Sequence, residues 1–342
     1  MKKVISLGIA LVFVCAMFLA ACAPAQVDPS GSAAENEGGQ SVQNGEGSEK
    51  YTLGVSWYAL STEFMAVCKY YMDEYVEENY ADQIELIHLD ADSDAANQID
   101  QVNNLISQEV DAILLNPFDK EQVAPATEEA YAAGIPVIEF NSETNASEEC
   151  KATYVGSDHT ESGRMLAKHL IEVGGEEANW VVLEGPTGHD GQVGRTQGME
   201  EVLADYPGIK IVGNKTCNWV REEAMSAMEN FLQSGMEIDC VFAQNDEMGL
   251  GALAAIEGTE WEGKIIVGSI DGITDAMNAV REGRLTCTVF QNAAGQARGA
   301  VDAAMAYLSG ETLEKYIDVP YELVTKENVD DPKFDTSDAI LN

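Results

Sequence analysis

The chain has 342 residues, 45% of them apolar, which is enough to bury about two domain cores. A net charge of -40 excludes a nucleic-acid partner, because neutralising phosphates takes Lys and Arg. The same charge suits an exported soluble protein that must not adhere to an anionic surface.

The chain opens as a targeting segment. Lys2 and Lys3 form a basic start, and Val4 to Leu19 is an apolar run too short and too early for a stable membrane span. It ends Leu19-Ala20-Ala21-Cys22, which resembles the lipobox of bacterial lipoproteins. That resemblance implies a signal peptide over residues 1–21, cleavage before Cys22 and lipid on its sulfur. The protein would then be extracytoplasmic and anchored to the cell membrane. Residues 22–50 are rich in Gly, Ser, Gln, Glu, Asn and Ala and predict a flexible tether. Beyond them Cys68, Cys150, Cys217, Cys240 and Cys287 remain, with no C-x-x-C spacing. This is neither a disulfide framework nor a zinc site. Cys240 and Cys287 sit in strand-like runs and read as small buried hydrophobes.

From Tyr51 the pattern is regular α/β. Strands are predicted at 51–56, 84–89, 112–115 and 135–140, alternating with helices at 63–78, 95–107 and 121–133. The pattern then repeats. Helices are predicted at 162–172, 194–204, 221–234, 249–255, 275–282 and 295–309, with strands at 179–184, 209–214, 238–243, 265–270 and 285–291. Short strands between longer helices mean parallel sheets covered on both faces. The architecture is repeated, although little sequence identity links the halves.

The run Val241-Phe242-Ala243-Gln244-Asn245-Asp246-Glu247-Met248-Gly249-Leu250-Gly251 is the most specific stretch. A buried strand meets a small-residue helix through a polar turn, and open α/β sheets bind ligands at such turns. Asn245 can serve a hydroxyl as donor and acceptor, or simply cap the helix that follows. The segment resembles the ribose-binding protein family, sugar receptors of bacterial ABC importers, and the resemblance extends from Thr52 to about Val324. It implies a type I periplasmic-binding fold, an α/β architecture of two Rossmann-like lobes joined by a three-strand hinge. The N-terminal lobe would be 51–157 plus 292–319, and the C-terminal lobe 158–291 plus 320–342. Ligand would lie in the cleft between them.

The same resemblance implies site residues. After the first strand the family carries Asn-Asn-Pro-Phe-Phe; here Ser61 and Phe64 match, but Glu63 replaces a ring, and Trp57 and Tyr58 lie just upstream. Asn141 and Ser142 stand where the family has Asp-Arg. Arg195 matches an Arg entering a helix start, Trp219 an aromatic that stacks on sugar, Asn245 a ligand-contacting Asn, Asp271 the Asp of a Gly-Phe-Asp-Gly strand end, and Gln291 a hinge Gln. Arg195 and Asp271 could also pair with each other. The changes at Glu63, Asn141 and Ser142 argue against ribose bound in the family's manner.

Other signals are weaker. Asp90-Ala91-Asp92-Ser93-Asp94 lacks the Gly and Glu of a calcium loop and reads as a helix start. His88, His159, His169 and His189 show no metal spacing, and the Gly-rich run 185–194 is not a phosphate loop. No catalytic set accompanies His189-Asp190. The sequence therefore predicts no enzyme, no cofactor and no metal. It predicts capture of a monosaccharide or sugar-like polyol by hinge closure, with an ABC permease and its ATPase as partners. The alternative is a receptor feeding a chemotaxis or sensor-kinase pathway. Repressors that share these lobes are excluded by the lipobox and by the want of a helix-turn-helix.

Overall fold

The computed structural model describes residues 50–335 and Ala339. The predicted leader, Cys22 and nearly all of the tether lie outside the described residues. The first sheet contains β1 (Tyr51–Trp57), β2 (Ile84–Asp90), β3 (Ala112–Leu115), β4 (Val137–Phe140), β5 (Thr153–Gly156) and β11 (Tyr316–Asp318). The second contains β6 (Ala178–Glu184), β7 (Ile209–Thr216), β8 (Cys240–Ala243), β9 (Ile266–Asp271), β10 (Cys287–Phe290) and β12 (Glu322–Val324). The helices are α1 (Glu63–Asn79), α2 (Ala95–Ser107), α3 (Ala124–Ala132), α4 (His159–Gly174), α5 (Asp190–Leu203), α6 (Arg221–Gln233), α7 (Asp246–Ile256), α8 (Thr274–Glu282) and α9 (Ala293–Leu308).

The two sheets share one wiring. Their orders are β11-β5-β4-β3-β1-β2 and β12-β10-β9-β8-β6-β7. All pairings are parallel except β10 with β12, which is antiparallel. β3, β4, β8 and β10 are buried along their whole length, as parallel strands covered on both faces must be. The chain crosses between the lobes after β5, after β10 and between β11 and β12, and α9 returns to pack on α1 and on β3 to β5. In each sheet the strand order reverses at its first strand, β1 or β6. Such a switch point leaves a crevice at the carboxyl ends of its strands.

Local chemistry explains most boundaries. Asp94 caps α2 by accepting from the Ala96 and Asn97 amides at 2.8 and 3.0 Å. The acidic run is thus a helix start. α3 begins at Ala124, later than expected. Asp119 holds Glu121 and Gln122 in a turn, and Pro125, without an amide hydrogen, suits only the first helical turn. α5 begins at Asp190, one turn earlier than expected. The His189 side chain caps it through the Gly191 amide at 3.1 Å, which outweighs the poor helix propensity of the glycines that follow. The sequence pattern does not reveal β5, β11 and β12. At three or four residues each they are too short to show a period. The five cysteines of the folded part are all buried free thiols.

Candidate functional site

Between the lobes lies a polar cavity. From the first lobe it is lined by Tyr58, Thr62, Glu63, Phe64 and Asn141. From the second come His159, His189, Arg195, Trp219, Asn245, Glu247, Asp271 and Gln291. Most of these follow the carboxyl end of a strand. The β1 turn brings Tyr58 to Phe64, β4 leads to Asn141, β5 to His159, β6 to His189, β8 to Asn245 and β9 ends in Asp271.

Arg195 is the hub of the second lobe's face. It lies in the second turn of α5, not at the helix start that the resemblance implied, because His189 caps the helix early. Helices α4 and α5 cross closely at glycines. A side chain at Gly163 would lie 2.3 Å from the Arg195 carbonyl, and one at Gly198 would lie 2.0 Å from the Thr160 carbonyl. The guanidinium, only 4% exposed, donates to Gln291 Oε1 at 3.0 Å, to Asp271 Oδ1 at 3.3 Å, to Tyr321 Oη at 3.4 Å and to the Gln244 carbonyl. Its Nε finds no partner. Burial pushes the Asp271 carboxyl up, and the Arg195 charge pulls it back.

The neighbouring Asp246 behaves differently. Its carboxylate accepts from the Gly272 and Ile273 amides at 2.6 and 2.9 Å, from Thr288 Oγ1 at 2.7 Å and from Ser269 Oγ. It is fully engaged in fixing the turn after β9. Asp271, with a single ionic partner, keeps lone pairs for something else. Asn245 does cap α7, accepting from the Met248 amide at 2.9 Å, and it donates to the Trp219 carbonyl at 3.4 Å. Capping and cavity lining coexist in one side chain.

Trp219 is positioned by strain and by a glycine. Asn218 and Trp219 take φ of 52° and 67°, which is costly for residues with a Cβ. Gly185 leaves room for the indole, since a side chain there would lie 2.1 Å from the ring. Asn141 and Asp271 also have positive φ, 63° and 139°. His189 meets the indole edge-on at 5.4 Å and Tyr58 edge-on at 5.1 Å. His189 Nδ1 accepts from the Gly191 amide, so its proton sits on Nε2. Burial lowers its pKa to about 3 and keeps it neutral. Neither His189 Nε2 nor Trp219 Nε1 has a partner. His159 is satisfied: Nε2 donates to the Asn141 carbonyl and Nδ1 accepts from Tyr321 Oη, both at 2.8 Å.

The first lobe closes on this face. Lys120 pairs with Asp190 at 2.6 Å, its amide donates to the Gly188 carbonyl at 3.2 Å, and the Glu143 amide donates to Asp190 at 3.3 Å. Among the described residues no cluster of His, Cys, Asp and Glu could hold a metal ion.

The fold is shared with known proteins. The periplasmic binding protein domain matches residues 53–312. The chain belongs to that family. It is 36% identical to a xylitol-binding protein of Mycolicibacterium smegmatis, over 83% of this chain and 79% of that one. It is 34% identical to a putative rhizopine-binding protein of Rhizobium meliloti, over 81% of this chain and 91% of that one. Among solved structures, an ABC transporter solute-binding protein from Bacillus halodurans C-125 with bound myo-inositol superposes with a TM-score of 0.79 at 37% identity, covering 83% of this chain and 97% of that one. The type I periplasmic-binding fold, α/β with two lobes, is therefore established. The family is one of binding proteins that work outside the cytoplasm.

Within this periplasmic binding protein, the residues expected at the site divide clearly. Tyr58, Phe64, Asn141, Arg195, Trp219, Asn245, Asp271 and Gln291 line the cavity. Ser61 does not; it is exposed in the turn before α1, and the next residue, Thr62, takes the lining position. Ser142 does not either. It is buried behind Asn141, with its hydroxyl 3.4 Å from Asn141 Oδ1. Trp57 is a core residue, edge-on to Phe140 at 5.1 Å with Nε1 donating to His88. His159, His189 and Glu247 also line the cavity, although nothing in the sequence assigns them to it. Their only sequence signal was position just beyond a strand, and for His159 that strand, β5, was itself missed.

Proposed function

We propose that the protein captures a monosaccharide or cyclic polyol in this cavity and presents it to an ABC permease and its ATPase. The observation that carries the reading is the set of unpartnered donors. Arg195 Nε, Trp219 Nε1 and His189 Nε2 are buried, uncompensated and lodged in one cavity wall. A buried donor without an acceptor costs about 1–3 kcal/mol, so a ligand rich in oxygen acceptors relieves them together. Gln291, Asn245 and Asp271 add acceptors for hydroxyl hydrogens, and Trp219 and Phe64 offer apolar faces for ring C–H groups. The relative named for xylitol and the structure holding myo-inositol support the same class.

In this reading the lobes close over ligand by hinge motion, with crossings beside β5, β10 and β11 as the hinge. The N-terminal run to Cys22 supports a lipid-anchored, tethered receptor. Replacing Cys22 with Ser is expected to abolish incorporation of labelled fatty acid; unchanged labelling would remove the anchor. Ligand capture is tested by a thermal-shift screen of xylitol, myo-inositol, D-ribose and D-allose beside amino acids and nucleobases. A ligand at a hundredfold over its Kd stabilises by about 2.7 kcal/mol, a shift of several degrees. Shifts from non-polyols alone would refute the reading.

A further inference from the structure

The first lobe's side of the cavity carries a carboxylate with no direct partner among the described residues. Glu63 opens α1 and lines the cavity, half-buried. Among the described residues it makes no ion pair within 4 Å and no hydrogen bond, unlike Glu247, Asp246, Asp271 and Asp275 around it. Glu247, on the opposite lobe, pairs with Arg221 at 2.6 Å, and Asp275 pairs with the same guanidinium at 3.1 Å. Asp271 holds Arg195. Both guanidinium groups near the cavity are therefore committed, and closure of the lobes sets Glu63 against Glu247 and Asp275 as like charges. Burial and those two neighbours push its carboxyl up, and the Arg221 charge, already paired with both of them, pulls it back only in part. The amino terminus of α1 offsets part of this cost but supplies no partner.

The opposite wall has the reverse deficit: the unpartnered donors of Arg195, Trp219 and His189. One ligand that answers both walls has oxygen acceptors on one edge and a cation on the other. Resting on the polyol reading above, we infer that the preferred ligand is an amine-bearing cyclic polyol, an amino-deoxy sugar or cyclitol. Its ammonium group binds Glu63 while its hydroxyl oxygens take the donors of the second lobe. The ring that the family resemblance expects at position 63 is then exchanged for a charge that selects the substrate class.

The test is titration calorimetry with matched pairs: D-glucose and D-glucosamine, D-galactose and D-galactosamine, myo-inositol and an inosamine. In at least one pair the amine is expected to bind about tenfold or more tighter than its hydroxyl parent, the range of a charge-assisted contact. Glu63→Gln is expected to bring that ratio close to one; the ratio within each protein is the readout, so a general loss of affinity does not mimic the result. Parents that bind as tightly as their amines in every pair would overturn the inference, as would a preference that survives Glu63→Gln, and both leave the polyol reading standing. No binding by any polyol, with or without an amine, would overturn the reading itself and this inference with it.

Discussion

The two walls of the cavity are built on different principles. The second lobe's wall is pre-assembled. Arg195 holds Asp271, Gln291 and Tyr321 in place without ligand, and close helix packing at Gly163 and Gly198 locks the hub. The first lobe's wall is less committed. Tyr58 and Phe64 supply ring surface, Glu63 stands unpaired, and Asn141 spends part of its amide on Asn116 and Gln296 at 3.2 and 3.0 Å. Under the proposed function the contrast is a division of labour: one lobe fixes ligand orientation, and the other completes the enclosure when ligand arrives.

The largest effect is expected at the hub. Arg195→Ala removes the cation that offsets the burial of Asp271 and the donor that ties the wall together, and breaking such a buried pair costs about 3–5 kcal/mol. Urea unfolding should show that loss; a variant of wild-type stability would mean the wall is not pre-assembled. The next test uses pH. His159 and His189 are buried and neutral, with pKa values lowered by burial to about 4 and about 3. In the unfolded chain each titrates near 6.5, so below that pH the unfolded state binds more protons. Stability is fully present above about pH 6.5 and falls as pH drops toward 4, by about 2 kcal/mol per histidine at pH 5. His189→Gln should flatten the curve, and an unchanged slope would show that His189 is not held neutral.

Smaller effects sharpen the contrast at the ligand. Trp219→Ala should weaken binding by about 1–3 kcal/mol, as loss of stacking does elsewhere; wild-type affinity by calorimetry would remove the indole from the site. Lys120→Ala deletes the ion pair that spans the lobes. Pairs of this kind contribute about 1 kcal/mol or less, so affinity should drop only a few-fold, through a smaller closed population. A larger loss would make Lys120 part of the recognition surface. Ser142→Ala is expected to change affinity least, within about threefold, because among the described residues its hydroxyl hydrogen-bonds only to Asn141, at 3.4 Å.

Much of this was legible in the sequence because the signals were long. Alternating apolar runs and helices located nine of the twelve described strands, and the Val241–Gly251 run marked the cavity turn that carries Asn245. What was not legible depended on short or distant features. β11 and β12 are three residues long and have no period. His159 lies beyond a four-residue strand, so nothing placed it at a strand end. Arg195 could be named, but its turn of α5 depended on the His189 cap. Glu63 was visible only as a departure. Its meaning came from the ion pairs that occupy Arg195 and Arg221 and leave it alone.

The central claim, that buried donors of the second lobe wait for a polyol, is tested most directly at one indole proton. The chain has four tryptophans, and nitrogen-labelled indoles give separate amide-type NMR signals. Trp57 Nε1 already donates to His88 at 3.0 Å, whereas Trp219 Nε1 has no acceptor. On saturation with a polyol that stabilises the protein, the signal missing from Trp219→Phe should move strongly downfield while the Trp57 signal stays in place. A bound, stabilising polyol that leaves the Trp219 signal unmoved would contradict the account.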